Sequence, residues 1–219
     1  MGKVIADLAT SAASATFAVE NATSSVDYVL SGTDGSANDH LKTDGSGNLA
    51  WVAPPAGGLT YASQWRLNTN LSVSGVAPGT NIAANWELPE STDFPGVIGS
   101  GSPMVINAST GAWAFPATGV WYVALTVESD AVGSAHESGR FIYTTDSTGS
   151  SWEQAAFTNH THAQYAVIPT RVEWLMKVAN TTTDLVRFSA GTTANTDDVY
   201  GDTNSNRTYA TFIKLGDAS

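Results

Sequence analysis

The chain has 219 residues, of which 42% are hydrophobic, and a formal net charge of -11. Its nine Lys and Arg are scattered, so the clustered cations that bind nucleic acid or an anionic membrane surface are missing. It has no cysteine, which excludes a disulfide framework and thiolate metal sites and favours a bacterial or viral origin.

Residues 1–32 are rich in Ala, Ser and Thr, with apolar residues in short patches. Ala9 to Ala18 has a helical composition, weakened by its Ser and Thr. Val26-Asp27-Tyr28-Val29-Leu30 reads as a short strand. Such an arm buries too little surface to fold alone, so it is expected to be extended and ordered by a partner. Met1 reads as a start. The first twenty residues lack a continuous apolar run of signal-peptide length, and no segment reaches transmembrane length. If the protein leaves a cell, something other than a signal peptide would carry it out, and assembly into a virus particle followed by lysis is one such route.

Residues 33–58 carry one turn cluster twice, TDGSAN and TDGSGN, ten residues apart. Asp34-Gly35 and Asp44-Gly45 are strong turn dipeptides, because glycine accepts positive φ without strain. His40-Leu41-Lys42 and Leu49-Ala50-Trp51-Val52 are the extended pieces around them. Pro54-Pro55 and then Gly57-Gly58 read as a stiff spacer followed by a hinge.

From Leu59 the pattern is strand after short strand. The predicted strands are 60–67, 82–88, 104–107, 112–115, 119–129, 140–145, 164–168, 171–179, 185–190 and 207–215. Trp121, Val123, Leu125 and Val127 alternate with Tyr122, Ala124, Thr126 and Glu128, the period of a half-buried strand. Spacing near ten residues with almost no helix signal predicts an all-β, jelly-roll β-sandwich.

Three stretches carry a family likeness. STGAWAFPATGVWYVALTV (Ser109 to Val127) holds Gly111, Trp113, Phe115, Pro116, Gly119, Trp121 and Tyr122. It resembles the Gly-aromatic-x-aromatic-x-Pro stretch and following aromatic strand of complement C1q and tumour-necrosis-factor jelly-roll heads. TTTDLVRFSAG (Thr181 to Gly191) resembles that family's Gly-Asp-x-Val-x-Leu strand, with Thr183 in place of the glycine. RTYATFIKLG resembles its closing strand through Tyr209, Phe212 and Leu215. Those heads are compact trimers, and the likeness implies a homotrimer here. Seven Trp exceed what one small core needs, and a three-fold interface would bury the surplus. The lead-in DGSANDHLKTDGSGNLAWV resembles segments of bacteriophage fibre and virion proteins that precede a surface-facing head. It reads as a trimeric stalk in which each chain's edge pairs with its neighbour, the plainer alternative being a flexible linker.

Two oxygen- or imidazole-bearing stretches are metal candidates. His160 and His162 form a His-x-His pair, whose side chains would share one face of a strand and suit a transition metal; the plainer reading is a solvated loop. Asp197, Asp198, Asp202, Asn204 and Asn206 make an oxygen-rich loop that copies the start of a calcium pattern, without its Gly and bidentate Glu. The plainer reading is a tip rich in Asx turns. No catalytic residue is assigned: carboxylates such as Asp146, Glu153, Glu173 and Asp184 fall in no acid/base motif, and no nucleophile elbow or phosphate loop is present. Trp65 and Trp152 are candidates for stacking on sugar rings, although core and interface roles are commoner for Trp.

The expectation is a non-enzymatic bacteriophage protein on the virion surface. Residues 1–32 anchor to a capsid or tail protein, 33–58 form the stalk and hinge, and 59–219 form an outward jelly-roll head. Capsid decoration, cement or head fibre is the first role. The alternative is a receptor-binding short tail fibre that recognises host surface glycans. No cofactor, nucleic-acid partner or membrane insertion is expected; calcium and a transition metal are the ions to test.

Overall fold

The computed structural model of the chain describes residues 16–17, 28–30, 35–54, 59–89, 96–99, 102–132, 134–146, 148–193 and 196–217. The chain divides into two compact units, Met1–Gly58 and Leu59–Ser219. Strands account for all the regular structure among the described residues.

The first unit contains β1 (Thr16–Phe17), β2 (Tyr28–Leu30), β3 (His40–Thr43) and β4 (Asn48–Val52), in the sheet order β1-β2-β4-β3. The second copy of the repeat closes the β3–β4 hairpin. Asp44 Oδ1 accepts from the Ser46 and Asn48 amides at 2.7 and 3.2 Å, and Gly45 takes φ +82°. The first copy builds a different turn, in which Asp39 accepts from the Ser36 amide at 2.7 Å. Among residues 35–54 no side chain is buried. β3 pairs with β4 of the same chain, so that edge is used locally. Of the stretch with helical composition, only Thr16 and Phe17 are described, and they are strand; the rest, like residues 55–58 of the expected hinge, lies outside the described residues.

The second unit carries β5 (Tyr61–Leu67), β6 (Leu71–Ser74), β7 (Thr80–Asn81), β8 (Trp86–Glu87), β9 (Val97–Gly99), β10 (Val105–Asn107) and β11 (Ala112–Ala114). There follow β12 (Gly119–Val132), β13 (His136–Thr145), β14 (Trp152–His162), β15 (Ile168–Val178), β16 (Leu185–Thr192), β17 (Thr196–Val199) and β18 (Tyr209–Gly216). One sheet runs β5-β18-β12-β15 and the other β11-β16-β13-β14, all antiparallel. With these eight strands taken in chain order, the first sheet holds the first, eighth, third and sixth, and the second holds the second, seventh, fourth and fifth. That order is two nested Greek keys, the jelly roll expected from the sequence. The short β6, β7, β8, β9, β10 and β17 extend the sheet edges.

Aromatic side chains fill the space between the sheets. Trp113 of β11 is fully buried, with ring centroids 5.1 Å from Phe212 of β18 and 5.2 Å from Trp65 of β5. Trp121 packs edge-on against Tyr61 at 5.3 Å and against Phe115 at 5.1 Å. Trp65 and Trp86 pack against this cluster, so the core takes four of the seven Trp. The aromatic surplus read from composition is therefore smaller than expected: in this unit, only Trp174 is an exposed Trp.

Two sequence expectations are corrected. Residues 152–162 form an eleven-residue strand, β14, where no strand was predicted. It is an edge strand rich in Gln, Asn, Thr and His, so its apolar alternation is weak. Residues 164–168 were predicted as a strand, yet Tyr165 takes φ +58° and turns the chain between β14 and β15.

Candidate functional site

The metal candidates are placed as follows. His160 lies on β14, not in a loop, and its Nδ1 is 2.9 Å from Thr170 Oγ1 of β15. The side chain of His162 lies outside what the structure describes. Asp197 and Asp198 are neighbours on β17, also a strand rather than a loop tip, so their side chains leave opposite faces. Asp197 is fully buried, whereas Asp198 accepts from Ser72 Oγ at 2.7 Å. Asp202 accepts from the Asn204 amide at 2.7 Å and from Ser205 Oγ at 3.0 Å, an Asx turn, while Asn206 Nδ2 donates to Gln64 Oε1 at 3.2 Å. Asn204 sits exposed in that turn. Among the described residues no three His, Asp or Glu gather closely enough to hold an ion.

The burial of Asp197 exposes a cluster that sequence reasoning missed. His136 and Ser138 lie two residues apart on β13 and point into the sandwich beside it. His136 Nε2 is 2.5 Å from Asp197 Oδ1, and Ser138 Oγ donates to Asp197 Oδ2 at 2.5 Å. Arg140, two residues further, places NH2 3.6 Å from Asp197 Oδ2 and donates to Ser129 Oγ. His136 Nδ1 is 2.7 Å from the Ser134 carbonyl. Both ring nitrogens therefore face acceptors, and only the imidazolium donates to both. Burial pulls the His136 pKa down, but the Asp197 bond, the Ser134 carbonyl and the Asp197 charge leave it above its ordinary value. Burial lowers the Arg140 pKa to about 10 against the opposing pull of Asp197. Ser, Asp and His meet here, but the serine donates to the carboxylate rather than to the imidazole. A nucleophile needs the imidazole between the other two. The cluster is an internal tie between β13 and β17.

The outward face of the second sheet has a concave feature with exposed aromatic surface. Phe141 of β13 and Phe157 of β14 are directly cross-strand, with rings 21° from parallel and centroids 6.4 Å apart. Phe157 is 59% exposed. Next to them Gly139 and Gly191 form a paired glycine floor. A Cβ at Gly139 would meet the Phe141 ring at 2.7 Å, and one at Gly191 would meet the Gly75 carbonyl at 2.6 Å. The glycines thus let the ring lie flat and the β6–β7 loop come close, with Val76 as the far wall. Glu137, Asn159 and Thr193 supply a polar rim, and the cleft encloses about 220 Å³. Of the two Trp expected to stack on sugars, Trp65 packs against the core and Trp152 is covered by the Arg187 guanidinium at 4.4 Å.

The outward face of the first sheet is mixed. Leu175, Tyr122, Ile213 and Ala62 form one cross-strand row, with Leu175 60% exposed. A neighbouring polar group has Tyr122 donating to Glu173 and Arg171 NH2 donating to the Tyr122 hydroxyl at 2.6 Å. The Tyr122 hydroxyl, and then Arg171, hold the Glu173 carboxyl below its usual range.

No family model matches the chain, and no curated protein does. Among solved structures, the chain is similar to that of Eiger TNF from S. frugiperda, with 15% sequence identity, 72% of this chain and 94% of that chain covered, and a TM-score of 0.47. The strand order of the two sheets carries the jelly-roll assignment on its own.

Proposed function

We propose that the chain is a non-enzymatic, homotrimeric protein of a bacteriophage virion surface, anchored through residues 1–32 to a capsid protein and holding its jelly roll outward as a decoration or head fibre. The observation that carries this reading is the state of residues 35–54: a hairpin and turns with no buried side chain. A hairpin that buries none of its own side chains is marginal alone and gains stability from further surfaces, and a symmetric trimer supplies two at once. The Leu175, Tyr122 and Ile213 row offers the second unit an apolar strip for the same three-fold association. Cryo-microscopy of the parent particle tests the reading. Density for three copies at a capsid site is expected, and a single copy, or absence from the particle, contradicts it.

A second reading, a receptor-binding short tail fibre for host surface glycans, is favoured by the Phe141/Phe157 cleft. Location on the tail, with purified protein blocking infection, would replace the first reading with this one.

A further inference from the structure

We propose that the cleft between Phe157 and Val76 binds a single neutral sugar ring. The inference deepens the adhesin reading, and it uses the geometry of the cleft alone. Phe157 and Val76, 59% and 64% exposed, present apolar surface from opposite walls of one hollow. A sugar ring is apolar on its C–H faces and polar around its edge. It can lay a C–H face on the Phe157 ring while its hydroxyls reach outward.

The hydroxyl partners are in place. Asn159 stands beside Gly139 in register, and Glu137 is one rung further along β13. The Thr193 hydroxyl donates to the Glu137 carbonyl at 3.2 Å, which holds the rim at that corner. An amide both donates and accepts, and a carboxylate accepts from two hydroxyls, so the pair suits a polyol edge. The size limits the occupant: about 220 Å³ falls below the roughly 300–1,000 Å³ of sites for drug-sized ligands, which leaves room for one ring rather than a buried oligosaccharide. Charge limits it further. Glu137 in the rim and a net charge of -11 repel uronic and sialic acids, so a neutral sugar fits.

Saturation-transfer NMR on the full-length protein tests this, with methyl β-D-glucopyranoside, methyl β-D-galactopyranoside and N-acetylglucosamine as probes and glucuronate as the charged comparison. Transfer to the ring C–H protons of at least one neutral probe is expected, with a Kd of roughly 1 mM or weaker for so small a ligand. Glucuronate should bind several-fold more weakly. Phe157→Ala should weaken binding about tenfold while the protein stays folded, its melting temperature lowered only modestly by loss of the stack on Phe141, and Phe157→Tyr should restore both. No transfer to any neutral probe, equal transfer in Phe157→Ala, or glucuronate binding as well as the neutral sugars would overturn the proposal. The two readings also separate: cell attachment that survives Phe157→Ala overturns the cleft and leaves the adhesin, whereas sugar binding without cell attachment does the reverse.

Discussion

At the scale of single residues, Asp197 decides more than any other side chain. It neutralises two buried cations, His136 and Arg140, at one end of the sandwich. Removing its charge strands both, and breaking such a buried pair costs about 3–5 kcal/mol. Asp197→Asn should lose that much stability in urea unfolding, whereas the exposed Asp217→Asn should leave the unfolding midpoint nearly unmoved. His136 adds a pH dependence. Its pKa is raised on folding, so its stabilisation is complete below the ordinary value of about 6.5 and is lost as pH climbs through the raised one. Thermal unfolding of wild type and His136→Gln should show the widest gap in Tm near pH 6, narrowing as pH rises; a constant gap would remove the imidazolium from the account. None of this was legible in the sequence. His136 and Asp197 are 61 residues apart in the chain and belong to no motif. Asp197-Asp198 reads locally as a polar tip, and only the pairing of β17 with β12 turns one of the two inward.

The strands are where sequence and structure agree most closely, and the exceptions have physical causes. β12 and β18 lie at the centre of their sheet and are apolar on the inner face, so alternation reports them clearly. β14 is an edge strand with polar residues on both faces, and alternation fails there. β17 is four residues long and half Asp, a composition that signals a turn. The metal candidates fall on these same two badly signalled strands and on the turn after them. Because β17 sends Asp197 inward and Asp198 outward, adding or chelating calcium should shift the Tm by less than about 1 °C. A calcium-dependent rise of several degrees in a thermal scan would contradict that placement. The core makes the opposite prediction. Trp113 touches aromatic rings from both sheets, and Trp113→Ala should cost about 3–5 kcal/mol in chemical unfolding.

Across the molecule, the two units differ in what stabilises them. Among the described residues, every member of the hydrophobic core lies between Tyr61 and Phe212, so the second unit is expected to fold by itself. Residues 59–219 expressed alone should unfold in one cooperative thermal transition at the Tm of the second unit in the full chain. Residues 35–54 bury no side chain, and their hairpin needs further surfaces to be stable. The jelly roll was legible because its period-2 pattern is local. The proposed docking of the first unit was not, because a partner's surface leaves no pattern in this chain. We propose that symmetry mates order this unit. Multi-angle light scattering of the full-length protein decides it: three times the 22.8 kDa chain mass is expected, and a species of one chain mass that retains the β3–β4 hairpin would overturn it.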